Sequence, residues 1–399
     1  MQFVLNLRTW GVGLFASWAI LVGNEPGAVW ARDVQTAERL VKTLSDAQPR
    51  GGNSELMAQT WKELVAQGPD ALLPILSGMS AEKPLALNFL RPALDAVLEK
   101  TKPSGETIEQ LDAFVKNQAN KGVARRQAFE WLVKLAPEKS KALIPTFIDD
   151  MYPELRREAV AAKIADLKKT GADDAAKKKI AEGAKKLLDV ASESDQVAEL
   201  AKLMKEGGLE FDGMKHYGFL TDWLLIGTFD NDKELGYEKA YAVEPQPDVS
   251  KAYVGKKGEP AKWFEGKASA PEGVVDLNKL IGKEKSAVAY AWTRVDSDKD
   301  QEVEIHIGCT TSLKVWINGE IVLQRDEYHH GASPDQHIAR CKLKKGVNDL
   351  VIKVCQNNQK ESWAQKWEFQ ARFTDFAWYR LPLKAAALPK IPQMAARAN

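Results

Sequence analysis

Hydrophobic periodicity changes near residue 210, and that change constrains the fold of this chain more than any other feature. Val197, Leu200, Ala201 and Met204 stand at i, i+3, i+4 and i+7, and Gly207-Gly208 then supplies a helix stop. Further along, the period is two. Val303, Ile305 and Ile307 alternate with Glu302, Glu304 and His306, and Trp367, Phe369, Ala371 and Phe373 alternate with Glu368, Gln370, Arg372 and Thr374. Side chains return to one face every 3.6 residues on a helix and every second residue on a strand, so neither stretch serves as the other. The expected fold class is therefore multidomain α and β, with a helical region over 33–210 and an antiparallel β-sandwich over 216–375, each alternating strand keeping one wet face. A loosely ordered tail is expected over 376–399. Composition divides at the same place: all five His, all three Cys and seven of the twelve Trp lie beyond residue 215.

The 399 residues suffice for two or three units, and 44% apolar with 28% charged residues marks a globular chain. A formal net charge of +1 offers no summed positive field for nucleic acid or anionic lipid, so neither is expected as a partner. Residues 1–31 read as a cleaved export signal: Arg8 precedes the apolar run Trp10 to Val22, and Val29 and Ala31 suit a signal-peptidase site. That run is too short to span a bilayer comfortably, so a secreted or periplasmic protein with no stable membrane span after cleavage is expected. Three Cys in an exported chain leave at least one unpaired. Cys341 and Cys355 flank a hairpin expected to turn on Lys344-Lys345-Gly346, in a register that does not bring them opposite, so buried free thiols are the expectation. Without CxxC or HExxH spacing, no metal and no cofactor is expected.

In the helical region Thr107-Ile108-Glu109-Gln110 fits a capping box, with Ile108, Leu111, Phe114 and Val115 following on one face. Ala71-Leu72-Leu73-Pro74-Ile75-Leu76 is echoed by Ala142-Leu143-Ile144-Pro145-Thr146-Phe147, each after an amphipathic segment, at an offset of 71 residues. Stacked helix pairs show such self-similarity. The second copy, continued through Asp149-Asp150 and Arg156 to Val160, resembles the HEAT repeat and implies a HEAT-like α-helical array; in that family the turn Asp and following Arg form a structural ladder, here Asp150 and Arg156. The run Lys177-Lys178-Lys179 to Lys185-Lys186 is interleaved with Ala and Glu182 and reads as a solvated helix face.

In the strand region, Trp316-Ile317-Asn318-Gly319-Glu320 places Asn-Gly between apolar runs, a hairpin signal because a type I′ turn needs positive φ twice. Together with runs at 222–229, 261–264, 274–277, 287–295, 337–343 and 349–355, about eight or nine short strands are expected. Trp223-Leu-Leu-Ile-Gly-Thr-Phe-Asp-Asn231, Leu313-Lys-Val-Trp-Ile-Asn-Gly-Glu320 and Leu343-Lys-Lys-Gly-Val-Asn-Asp-Leu-Val-Ile-Lys-Val354 resemble the galactose-binding-domain-like jelly rolls. They are also similar to the sugar-binding domain of family 2 glycoside hydrolases, where a W-[IL]-N-G hairpin and a G-x-N-x-[IL] hairpin recur in that order. The resemblance implies a jelly roll over about 160 residues; the turn motifs themselves need touch no sugar.

A sugar site needs aromatic faces beside groups that bond hydroxyls. Arg325, Asp326, Tyr328, His329 and His330, in the long connection before residue 337, and Trp363, in the loop before the last strand, are the candidate carbohydrate-binding residues. Glu302, Glu304 and His306 share one strand face and read as its solvated side, while Asp230-Asn231-Asp232 is where an edge calcium would be sought. No nucleophile elbow or phosphate-cradling loop occurs, so no catalytic residues are expected. The expected function is that of an exported noncatalytic recognition or scaffold protein, its sandwich binding glycan and its helical repeats contacting a protein partner. The alternatives are a structural cell-envelope assembly protein with no small-molecule ligand, and a metal-dependent hydrolase built on His306, His329, His330 and His337.

Overall fold

The computed structural model describes residues 26–100, 103–244, 247–269 and 271–392. The expected export signal thus lies, as far as residue 25, outside the described residues. No helix among the described residues is long and apolar enough to cross a membrane. The chain forms two compact units that divide between Lys139 and Ser140.

The first unit is helical: α1 (Pro26–Leu44), α2 (Ser54–Ala66), α3 (Leu72–Gly78), α4 (Pro84–Lys100), α5 (Gly105–Lys116) and α6 (Gly122–Leu135). α1 packs on α2 and α3, both of these pack on α4, and α5 packs on α6. Leu44, Leu64, Ile75, Leu76, Leu90 and Leu94 fill the interior. Two indoles pin helices to one another: Trp61 Nε1 donates to the Phe89 carbonyl at 3.1 Å and Trp131 Nε1 to Asp95 Oδ1 at 2.9 Å. Helix α5 begins one turn earlier than its capping-box reading, because Ser104 Oγ accepts from the Thr107 N–H at 3.3 Å and so takes the capping role.

α7 (Pro137–Leu143) crosses the division, and the second unit continues with α8 (Pro153–Lys168), α9 (Asp174–Leu187), α10 (Ser194–Glu206) and α11 (Gly213–Tyr217). The three helices α8 to α10 therefore belong with the sandwich and not with the earlier helices. Helix α10 buries Val197, Leu200, Leu203 and Met204, as its spacing requires. On α9, Ile180, Ala184 and Leu187 are buried while Lys177, Lys178, Lys179, Lys185 and Lys186 face solvent.

The strands are β1 (Asp222–Asp230), β2 (Tyr253–Val254), β3 (Pro260–Ala261), β4 (Phe264–Lys267), β5 (Val275–Asp276), β6 (Ala287–Ser297), β7 (Gln301–Cys309), β8 (Ser312–Ile317), β9 (Glu320–Arg325), β10 (His337–Leu343), β11 (Gly346–Gln356), β12 (Glu368–Thr374) and β13 (Lys384–Ala385). Besides a two-stranded β2-β3 ribbon there are two larger sheets: one runs β4-β1-β6-β11-β8-β9 with β13 added to β6, and the other runs β10-β7-β12-β5. All pairings are antiparallel. Trp223, Ile305, Ile307, Val315, Ile352, Phe369 and Phe373 fill the space between them. The Asn-Gly hairpin joins β8 to β9, with φ of 51° at Asn318 and 84° at Gly319.

Three expectations are corrected. First, β10 and β11 are not a hairpin: β10 pairs with β7 and β11 with β6 and β8, so Lys344-Lys345-Gly346 carries the chain from one sheet to the other. Asn348 clamps that crossover, its Oδ1 accepting from the Lys344 N–H and its Nδ2 donating to the Lys344 carbonyl, both at 2.8 Å. A glycine at φ 93° serves a crossover as well as a hairpin, so the local signal is the same. Second, the loose tail is laid down at least to Ile391: Ala377 is buried, β13 pairs with β6, and Leu388 and Ile391 pack on the outer aromatic cluster. Residues 393–399 lie outside the described residues.

Third, the outer faces of the sheets are covered over much of their area, although Glu302 of β7 and Arg340 and Lys342 of β10 stay exposed. Tyr237, Tyr241, Trp263, Tyr290, Trp292 and Trp316 form a second core on the outside of the larger sheet. On the smaller sheet the polar positions His306, Gln370, Arg372 and Thr374 are all buried. Their cover comes from α11 and the segment after β12: the Arg372 guanidinium lies 5.2 Å from the Tyr217 ring and the His306 ring 5.4 Å from Trp378. Arg156 of α8 secures that segment, donating to the carbonyls of Ala377 at 2.5 Å and Asp150 at 2.6 Å and to Ser192 Oγ at 2.7 Å. Alternation reports polarity, and a polar face is buried wherever partners satisfy it.

Lys353 is the corresponding buried cation on the larger sheet. Its Nζ donates to the carbonyls of Tyr237 at 2.9 Å and Lys239 at 2.8 Å and to Glu244 Oε1 at 2.8 Å. Lys353→Met leaves Glu244 with only the Tyr290 hydroxyl and removes the donor to two carbonyls, and is expected to cost about 3 kcal/mol, read as a lowered urea midpoint. Lys366→Met, in an exposed pair, is expected to cost less than ~0.5 kcal/mol. Equal midpoints for the two variants would contradict the role assigned to Lys353.

Candidate functional site

At one end of the sandwich, the connection after β9 meets the loop between β11 and β12. Tyr328 turns inward, packs on the outer aromatic cluster and accepts a hydrogen bond from Asn231 Nδ2 at 3.1 Å. Burial pushes its phenol well above the ordinary tyrosine range. His329 follows with φ 57°, a left-handed backbone, and its ring is half-buried. That ring stands 6.1 Å from Tyr328 and 5.6 Å, edge-on, from the indole of Trp363.

Asn357 fixes the histidine. Its Nδ2 donates to Glu234 Oε1 at 3.1 Å and to Gln359 Oε1 at 3.0 Å, which leaves Oδ1 to accept, and His329 Nε2 lies 2.5 Å from it. The network therefore assigns the proton to Nε2. Trp363 sits on a 3₁₀ turn, Ser362–Ala364, anchored by buried Ala364, whose carbonyl accepts from Lys285 Nζ at 2.6 Å, and by Gln365 Nε2 bonding the Lys360 carbonyl at 2.7 Å. Trp363 is 61% exposed. A large apolar plane thus stands in solvent beside an imidazole whose orientation is fixed through Asn357. Such a surface stacks on the apolar face of a ring and bonds the groups at its edge.

The other expected site residues do not join it. Arg325 and Asp326 are exposed at the end of β9, where Arg325 Nη1 donates to the Gln324 carbonyl at 2.8 Å and Asp326 Oδ1 accepts from Ser312 Oγ at 3.2 Å. His330 turns the other way, its Nδ1 2.6 Å from Gln336 Nε2 and its ring 5.7 Å from His337. Asn357, Gln359 and Glu234 were not singled out in the sequence. The polar run Gln356-Asn357-Asn358-Gln359 directly after an apolar strand is a signal that could have pointed to the first two.

The residues read for other chemistry are structural. His306 is fully buried, with Nδ1 2.7 Å from Asp335 Oδ1 and Nε2 2.9 Å from Thr374 Oγ1, so the expectation of a solvated Glu302-Glu304-His306 face fails at His306. Asp335 also takes Arg372 Nε at 2.9 Å. The four histidines 306, 329, 330 and 337 occupy three separate environments, and no group of three or more His, Cys, Asp or Glu among the described residues could hold a metal ion. Asn231, in the stretch where an edge calcium would be sought, is buried and spends its Nδ2 on Tyr328 and the Gln356 carbonyl. Cys309, Cys341 and Cys355 are free and buried, and burial pushes each thiol up to about 12. Beneath α9 and α11 a cavity of about 460 Å³ is lined by Lys185, Lys215, His216, Arg372, Trp378 and Arg380, among others. Burial, with the charges of Arg372 and Arg380, lowers the His216 pKa from 6.5 to about 4.

No family model and no curated protein matches the chain. Among solved structures it is similar to a β-glucosidase from Kluyveromyces marxianus in complex with glucose, at 12% identity and a TM-score of 0.25, over 38% of this chain and 16% of that one. A GH31 α-xylosidase from Xanthomonas citri gives 11% identity and a TM-score of 0.19 over 39% of this chain and 16% of that one. The chain thus spans only about a sixth of those proteins, and the likeness carries no argument about activity.

Two outcomes are expected from this geometry. Native protein should leave a disulfide-based thiol reagent unreacted at pH 8, and unfolded protein should consume three equivalents, one for each Cys; rapid native labelling would contradict the burial. The unfolded chain protonates His216 near 6.5 and the folded chain near 4. Its stabilising contribution is therefore complete above 6.5 and is lost as pH falls from there towards 4. The His216 ring resonance should stay unshifted from about pH 8 down to about pH 5, and titration with an ordinary midpoint would contradict the assignment.

Proposed function

We propose that the chain is an exported noncatalytic recognition protein whose sandwich, read as a galactose-binding-like jelly roll, binds carbohydrate on the Trp363 surface, while its HEAT-like helices offer a protein-contact surface. The observation that carries this reading is the exposed indole of Trp363 set edge-on to His329, whose orientation is held by Asn357. Stacking needs a rigid apolar plane, and hydroxyl recognition needs oriented polar groups at its border; Glu234 and Gln359 supply these beside the same histidine. His306, engaged between Asp335 and Thr374, and the three buried thiols are withdrawn from solvent, which supports binding over catalysis.

A glycan array probed with the full chain, followed by calorimetry on any captured oligosaccharide, tests the proposal. Trp363→Ala is expected to weaken binding at least about tenfold, whereas Phe376→Ala, at another exposed aromatic, should leave it unchanged. Failure of every glycan to bind, or equal affinity for the Trp363 variant, would sink it.

A further inference from the structure

The connection from β9 to β10, residues 326–336, carries more than the residues beside Trp363. It ends on His337, which shares its side of β10 with Ala339, Cys341 and Leu343 and so faces the core between the sheets. His337 is 8% exposed, and the ring of His330 stands 5.7 Å from it, edge-on. The Nε2 atoms of both rings are buried and have no hydrogen-bond partner among the described residues. An imidazolium carries N–H on both nitrogens, so a charge on either ring buries a donor with nothing to receive it.

Gln336 dictates which nitrogen of His330 is bare. Its Oε1 accepts from the Cys309 N–H at 3.1 Å and its Nε2 donates to the Gly331 carbonyl at 2.8 Å, which sets the orientation of the amide. The same Nε2 lies 2.6 Å from His330 Nδ1, which therefore accepts and bears no proton. A proton there sets donor against donor, and the Gly331 carbonyl, 3.3 Å from that nitrogen, is already taken by Gln336. With the rings neutral the connection is tied down: the His330 N–H donates to the Thr310 carbonyl at 3.2 Å and the Gln336 N–H to that of Ser333 at 3.3 Å. The charges around the pair offer little help to a proton. Arg325, at the end of β9, and Glu327, in the connection, act on His337 with opposite signs, while Asp326 bonds Ser312 and Asp335 is committed to His306 and Arg372. Burial above all, with the charges of Arg325 and His330 adding to it, lowers the His337 pKa below the ordinary histidine value, and Glu327 offsets only part of that.

We infer that His330 and His337 form an acid-sensitive latch: neutral, they hold residues 326–336 closed on the end of the sandwich, and protonation of the pair releases that connection. In the released state both rings reach water and take up a proton as in the unfolded chain, whereas the closed state resists it. The closed state is therefore fully favoured above pH 6.5 and loses its advantage as pH falls from there. His329 borders Trp363, so release also dismantles that surface, a consequence that alone rests on the carbohydrate reading. Amide hydrogen exchange of the full chain at about pH 7.5 and about pH 5.5, corrected for the intrinsic pH dependence of exchange, tests the latch without any ligand. The peptide covering 329–336 should exchange about tenfold faster at the lower pH, while peptides from β6 and β11 keep their protection. Replacing both rings, His330→Gln with His337→Gln, should remove the difference. If that variant does not fold, NMR of the native chain decides: the His337 ring should titrate below 6.5, in step with the exchange. Exchange rates equal at the two pH values, acceleration shared by β6 and β11, acceleration that persists in the double variant, or a His337 ring with an ordinary midpoint would each overturn the inference. Because exchange is read without glycan, failure of the latch and failure of the carbohydrate reading are distinguishable.

Discussion

The carboxylate of Asp335 allows the polar outer face of the smaller sheet to be covered. It stands 2.7 Å from His306 Nδ1 and 2.9 Å from Arg372 Nε, bringing neighbouring strands β7 and β12 onto one oxygen. Burial pushes its pKa up, but the hydrogen bond from His306 and the Arg372 charge outweigh that and hold it below the ordinary carboxylate value. A guanidinium and an imidazole placed beneath Tyr217 and Trp378 without this anion would be buried charge and buried polarity with no compensation. With the anion present, α11 and the segment after β12 close over the sheet, and Arg156 ties that segment to the helices.

The larger sheet solves the same problem with opposite sign. There a buried cation, Lys353, is compensated by Glu244 and two carbonyls, and the cover is built from aromatics and the last described residues. With much of both outer faces covered, the exposed indole of Trp363 stands on an end loop. Trp363 is exposed there because a 3₁₀ turn anchored through Ala364 leaves the preceding side chain pointing to solvent.

Part of the candidate site was legible and part was not, for one reason. Tyr328, His329 and Trp363 stood out as aromatics in loops between strands, and loop position plus residue type is local information. Asn357 orients His329 across 28 positions of sequence, and Glu234 reaches Asn357 across 123; no local pattern encodes such a meeting. His330 was indistinguishable from His329 by type and place, yet His329 meets Asn357 and Trp363 while His330 meets Gln336 and His337. Gln370 read as a solvent-facing strand residue because its neighbours alternate, although Gly308 opposite it opens the room in which its amide is enclosed.

Sequence alone determined what depends on neighbours a few residues apart: helices before residue 210, strands after it, the Asn-Gly hairpin, and which strand positions point into the core between the sheets. Those follow from backbone periods and from the φ values that only certain residues adopt cheaply. Tertiary structure decided what lies against the remaining faces. A turn of Lys-Lys-Gly serves equally to fold a strand back or to send it to the other sheet, and only the pairing of β11 with β6 and β8 chose the latter. A row of Glu, His, Arg and Thr looks solvated until partners from distant segments satisfy it. Polarity is a property of the residue, whereas burial is a property of what packs upon it.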